Sequence, residues 1–165
     1  MIKEFHNLDE IQKYYDAKTN TYNFKEDDKE IDLIVLNFDL NVDANICCND
    51  IIANDIFAIN IDGCSITAWD IEANDINAYN IECYDIVADD IVADEDIKAW
   101  DINAKNINAN NIEAWNIYAN DISYWAVCYA IHDIECHSIK GRRENAKHFV
   151  LDGSVYIDGT IETTK

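Results

Sequence analysis

Isoleucine returns every fifth residue from Ile46 to Ile91 and, after one inserted residue, every fifth again from Ile97 to Ile122. Two positions after most of these stands a small residue, as at Ala53, Ala58, Gly63, Ala88 and Ala114, with cysteine taking that place at Cys48, Cys83 and Cys136. Alternate residues of a strand face the same way. The isoleucine and its small partner therefore point inward, the residue between them points out, and the last two residues of each phrase turn a corner. A fixed short period marks a solenoid, because one repeat cannot bury its apolar face without its neighbours. The pattern predicts an all-β fold, a β-solenoid.

The flanks differ. Residues 1–42 are not repetitive and are expected to cap the first coil. Asn7 with Glu10 three residues later predicts a short capped helix. Residues 19–30 read as loop, and 31–42 alternate like a strand. Residues 43–139 form the repeat region. Val127 is expected to extend the ladder, with late rungs at Ile134 and Ile139. Tyr124 and Tyr129 fall at small-residue places, so the regular coil should end or widen there. Residues 140–165 read as short closing strands with turns at Asp152-Gly153 and Asp158-Gly159. The chain has no Pro and only four Gly. Asn and Asp, which tolerate left-handed backbone, are therefore expected to carry the turns.

The phrase, seen in Asp55-Ile56-Phe57-Ala58-Ile59 and Asn111-Ile112-Glu113-Ala114-Trp115, resembles the pentapeptide-repeat family. That resemblance covers about half the chain. It implies a right-handed, four-sided β-helix with four phrases per coil. In that family the small inward residue precedes the large one by two positions; here the order is reversed. Some members of the family are DNA mimics that occupy the DNA site of gyrase.

Charge changes the picture next. The chain carries 12 basic and 33 acidic side chains, a formal net charge of −21, far beyond what solubility requires. Between Lys29 and Lys98 there is no Lys, Arg or His. A surface this acidic repels nucleic acid and membranes and attracts basic protein surfaces. A rigid rod with regularly spaced carboxylates has the shape and charge of a DNA segment. The candidate partner-binding residues are Asp70, Glu72, Asp75, Glu82, Asp85, Asp89, Asp90, Asp94, Glu95 and Asp96. The one-residue insertion falls inside Asp94-Glu95-Asp96, where a bulge can re-aim side chains. Against this stands the plain reading that Asp serves turns and solvation.

Aromatic residues recur at the corner three places after isoleucine: Trp69, Tyr79, Tyr84, Trp100, Trp115 and Trp125. Four phrases per coil would stack Tyr79 on Trp100. Trp and Tyr are frequent interface anchors, although corner packing along the rod explains them equally well. Trp115, Tyr118, Tyr124, Trp125 and Tyr129 fall close together in sequence and suggest a dimer contact or packing under the C-terminal cap.

Other chemistry finds little footing. Cys128, His132, Cys136 and His137 match no established zinc spacing, and no metal or cofactor is expected. Gly-poor corners argue against repeating calcium loops. No nucleophilic triad or phosphate loop can be read, and a filled β-helix leaves no pocket, so an enzyme is not expected. The start of the chain reads as lacking a signal peptide, which suggests a cytoplasmic protein with reduced cysteines. These readings point to an inhibitory DNA mimic, monomer or homodimer. The expected target is a protein with a basic DNA-binding surface, first a CRISPR effector or restriction enzyme blocked by a phage product, then gyrase. The rival is a scaffolding solenoid, whose basic residues Lys140, Arg142, Arg143, Lys147 and His148 would meet a neighbour's acidic face head to tail.

Overall fold

A computed structural model describes residues 1–26, 29–67 and 70–163, the side chains at 30, 62, 64, 65, 70, 72–75, 77, 79 and 163 excepted. It is a parallel β-solenoid of about seven coils. All sixteen isoleucines of the ladder between Ile46 and Ile122 are at most 1% exposed. At about 1.5–3 kcal/mol each this is tens of kcal/mol of gross burial, set against the entropy of ordering the chain.

The coil is smaller than the family resemblance implies. Ile46 pairs with Ile61, Ile61 with Ile76, and Ile76 with Ile91. The step is fifteen residues, so three phrases close a coil and the rod is three-sided. Face A stacks Leu40, Ile56, Ile71, Ile86 and Ile102. Face B stacks Tyr22, Ile46, Ile61, Ile76, Ile91 and Ile107. Face C stacks Ile34, Ile51, Ile66, Ile81, Ile97 and Ile112. The expectation of four phrases per coil is corrected. With one isoleucine and one alanine inward per side, three sides meet around a core narrow enough for those side chains to fill.

The corners also differ from expectation. Among the described residues only Asn20 (φ 51°) and Asn145 (φ 62°) have left-handed backbone, and both lie outside the repeat. The corner Asx residues act through their side chains instead, bonding from one coil to the next. Asn106 donates from Nδ2 to Asp90 Oδ1 at 2.6 Å, Asn111 to Asp96 at 2.7 Å and Asn116 to Asp101 at 2.8 Å. An Asn amide facing an Asp carboxylate is a charge-assisted bond. It gives the alternation of Asn and Asp along a corner a structural reason.

The N-terminal end is closed. Asn7 Oδ1 accepts from Glu10 N, and Glu10 accepts from His6 N, so the expected capped helix forms at Leu8–Ile11. Ile11 and Phe24 are buried, and Phe5, Tyr14, Tyr22 and Phe24 form an aromatic cluster over the first coil. Glu26 ties this cap together: it accepts from the Tyr14 hydroxyl at 2.7 Å and pairs with Lys3 at 2.9 Å and Lys13 at 3.1 Å. Residues 19–30 are not simply loop: Thr21–Asn23 pairs with Asn45–Cys47, and Lys25–Glu26 with Lys29–Glu30. The first coil already includes Leu33–Leu36 and Leu40–Asn41.

The coil does not end at Tyr124. Its ring is fully buried, and its hydroxyl lies 3.0 Å from His148 Nδ1. Room comes from Gly141, where an added Cβ would meet the Tyr124 hydroxyl at 3.1 Å. A second inserted residue then moves Cys128, not Val127, into the isoleucine seat: Cys128 is fully buried and Val127 is half-buried. Tyr129 consequently points outward, where it stacks on Phe149 with centroids 5.4 Å apart and planes 6° apart. The closing strands Lys147–Val150 and Val155–Thr163 lie parallel on the preceding coil.

Candidate functional site

The three-sided winding sorts the candidate residues. Glu82 lies outward on face C, Asp85 at the corner from C to A, Asp89 and Asp90 at the corner from A to B, and Asp94, Glu95 and Asp96 at the corner from B to C. They do not share a face. They ring the rod within one coil as a belt. Glu82, Asp85, Asp89, Asp90 and Asp94 are exposed, and Glu95 and Asp96 are half-buried. Asp70 and Asp75 stand one coil earlier in register with Asp85 and Asp90, and Glu72 with Val87. The side chains of Asp70, Glu72 and Asp75 lie outside the described residues.

Magnitudes show what this belt amounts to. Residues 82–96 hold seven carboxylates and no base. One coil rises about 4.8 Å. Duplex DNA, with one charge per roughly 1.7 Å of axis, carries about three phosphates over that distance. From the next coil Lys105 Nζ pairs with Asp89 at 2.8 Å, and Lys98 stands in register with Glu82. The seven acids of the belt exceed that DNA density. Asp90 and Asp96 accept from Asn106 and Asn111.

The insertion at 94–96 leaves the register intact, since Ile97 pairs with Ile81. The Glu95 carbonyl accepts from both Asn110 N (2.8 Å) and Asn111 N (3.3 Å), which holds the extra residue to the coil above. Asp94, at the outer turn of the knuckle, is exposed.

Beside the belt runs an aromatic column at the corner from C to A. Tyr84 and Trp100 stack at 5.2 Å with planes 18° apart, Trp100 and Trp115 lie 5.1 Å apart, and Trp115 meets the His132 ring at 5.0 Å. Backbone bonds set this spacing. The Tyr84 carbonyl accepts from Trp100 N and Asp101 N, and the Trp100 carbonyl accepts from Trp115 N and Asn116 N. Rings locked at coil spacing fall within the favourable range for offset stacking. Trp100 is 44% exposed. The column walls a groove of about 360 Å³ on face C, whose other lining includes Glu82, Lys98 and Glu113.

The expected stack of Tyr79 on Trp100 does not form, because fifteen-residue coils place position 79 at a different corner, from B to C. The Tyr79 side chain and Trp69 lie outside the described residues. Trp125 is exposed at the corner from B to C, away from the column. The expected cluster of Trp115, Tyr118, Tyr124, Trp125 and Tyr129 is dispersed. Trp115 is in the column, Tyr118 is exposed on face A, Tyr124 is in the core and Tyr129 is on face C. His132 was missed as a member of the column; its only sequence signal is a place before Asp133 like that of Trp100 before Asp101.

Two of the thiols, Cys128 and Cys136, belong to the core. Cys128 and Cys136 are buried, and burial raises both pKa values, that of Cys136 to about 11. His137 turns outward to Asp158 at 2.9 Å. No group of three or more metal-ligating side chains converges among the described residues. Among them, too, no helix is long and apolar enough to cross a membrane. The basic residues near the end are partly engaged within the chain: Lys140 pairs with Glu162 at 2.8 Å, and an Arg142 guanidinium nitrogen donates to Ala109 O at 2.6 Å.

No family model, curated protein or solved structure matches the chain.

Proposed function

We propose that this protein is an inhibitory DNA mimic. It occupies the basic DNA-binding channel of a nucleic-acid enzyme or effector and excludes DNA by competition. The observation that carries this reading is the belt at residues 82–96, whose seven carboxylates outnumber the phosphates of a DNA segment of equal rise. The Asx ladder holds Asp90 and Asp96 of this belt in place, so those two carboxylates lose little conformational freedom on binding. Carboxylates standing in for phosphates against Lys and Arg give an attraction that salt screens. The neighbouring Tyr84, Trp100 and Trp115 column supplies stacking and cation–π contacts for arginine side chains at the same surface. The target classes are CRISPR effectors, restriction enzymes and gyrase.

The test is inhibition of such enzymes in vitro, with DNA concentration and salt varied independently. Competition predicts that added DNA relieves inhibition and that binding weakens several-fold or more between 50 and 200 mM salt, on the order of a multi-contact electrostatic interface. Inhibition that extra DNA does not relieve, or a low-salt lysate capture that recovers no nucleic-acid-binding protein, would overturn the proposal.

A further inference from the structure

The aromatic column on face C has a charged wall beside it. Glu82 stands in register with Lys98, and Lys98 with Glu113, each one coil further on, and all three side chains are exposed. Between this row and the rings of Tyr84, Trp100 and Trp115 lie only Cys83, Ala99 and Ala114. The result is a groove of about 360 Å³ running along the rod axis, with a floor of small residues. That volume falls in the range of small-ligand sites.

Charge and spacing select the occupant. Among the described residues Lys98 makes no ion pair with Glu82 or Glu113. Two carboxylates therefore line the groove without a cation of the chain's own, on a protein of net charge −21. A field of that sign concentrates small cations in a cleft. The two carboxylates stand two coil rises apart, about 10 Å. The rings alongside offer methylene groups an apolar wall. A ligand with two ammonium groups on one aliphatic chain of that length engages both carboxylates at once, and its second contact is intramolecular. A shorter diamine reaches one carboxylate at a time. Lys98, halfway along, opposes the ligand by like charge and disfavours a third ammonium at mid-chain.

We propose that this groove binds a linear aliphatic diammonium ligand, the chemistry of the short polyamines, with its ends at Glu82 and Glu113 and its methylenes against Tyr84, Trp100 and Trp115. The site goes beyond the inhibitory role and does not depend on the target of the belt. The test uses the full chain at low salt with 1,4-diaminobutane, 1,8-diaminooctane and the single-charge probe 1-aminooctane, followed by tryptophan fluorescence and calorimetry. The expected result is saturable one-to-one binding, with 1,8-diaminooctane at least about fivefold tighter than either other amine. In Glu82→Gln or Glu113→Gln, both at exposed sites, the advantage of the octane diamine over 1-aminooctane should largely vanish. Lys98→Met should tighten the diamine. Asp89→Asn, at the corner opposite face C, removes the same charge outside the groove and should leave the preference for the octane diamine intact. Equal affinity for all three amines, or a preference that Asp89→Asn abolishes as fully as Glu82→Gln does, would mean diffuse counterion attraction and overturn the proposal. Lack of saturable binding, or weaker diamine binding by Lys98→Met, overturns it as well.

Discussion

The rings of Tyr84 and Trp100 stack 5.2 Å apart with planes 18° apart, though sixteen residues separate them. The contact exists because three phrases and one inserted residue make up that coil. Backbone bonds from Trp100 N and Asp101 N to the Tyr84 carbonyl then fix the ring spacing. Trp100 also meets Trp115, so Trp100→Ala removes two ring contacts at about 0.5–1.5 kcal/mol each. Denaturant unfolding should show a loss of about 1–3 kcal/mol, and the near-ultraviolet dichroism of the coupled rings should collapse. Unchanged near-ultraviolet dichroism would mean the column is not formed in solution.

The belt can be neutralised without dismantling the rod. Asp89→Asn, Asp90→Asn, Asp94→Asn, Glu95→Gln and Asp96→Asn together keep acceptor oxygens for Asn106 and Asn111 and remove five charges. Stability should hold within about 1 kcal/mol, since like charges at coil spacing repel by at most about that much in water. Inhibition should fall by at least tenfold and the residual binding should lose most of its salt dependence. Full inhibition by this variant would place the binding surface elsewhere.

Gly141 is required by Tyr124. An added Cβ would lie 2.6 Å from Ala146 Cβ and 3.1 Å from the Tyr124 hydroxyl. Gly141→Ala should cost about 1–3 kcal/mol by overpacking. Tyr124→Phe keeps the ring and removes only the contact with His148, about 0.5–1.5 kcal/mol. Thermal or denaturant unfolding should rank the two in that order; a neutral Gly141→Ala would show that the last coils shift easily.

Two titrations set the acid limit. Hydrogen bonds from Tyr14, Lys3 and Lys13 hold the Glu26 carboxyl down to about 2. A depressed carboxyl stabilises the fold above its unfolded value, near 4.3, and that contribution is lost as pH falls toward 2. Burial lowers the His148 pKa, so the neutral ring is favoured in the fold. Its contribution is present above about 6.5 and is lost as pH falls through the lowered value. Stability should therefore decline first below about pH 6.5, at the C-terminal coils, and again below about pH 4.5, at the N-terminal cap. His148→Gln should remove the first step and Glu26→Gln the second, read by hydrogen exchange at each end.

Much of the architecture is legible in the chain because alternation acts locally. An isoleucine and a small residue two positions apart must share a face of an extended strand, and repetition requires stacking. The Asn7–Glu10 cap is legible for the same reason: both partners lie within one helical turn. Tyr129 was misplaced because a single inserted residue between Ile122 and Cys128 reverses which side chain points inward, and only the burial of Cys128 reveals it.

The sequence by itself determined that this is an acidic β-solenoid with an isoleucine core, since a period of five and the charge of each position are properties of the chain. It could not determine how many phrases close a coil. That number depends on whether three or four sides leave a core that one isoleucine and one alanine per side can fill. The tertiary structure decided it as three. Three sides gather Tyr84, Trp100, Trp115 and His132 onto one corner, spread the densest acids into a belt, and join Asn106 to Asp90 across coils. Each of those contacts spans fifteen to seventeen residues, a separation set by closure of the coil and not by local alternation.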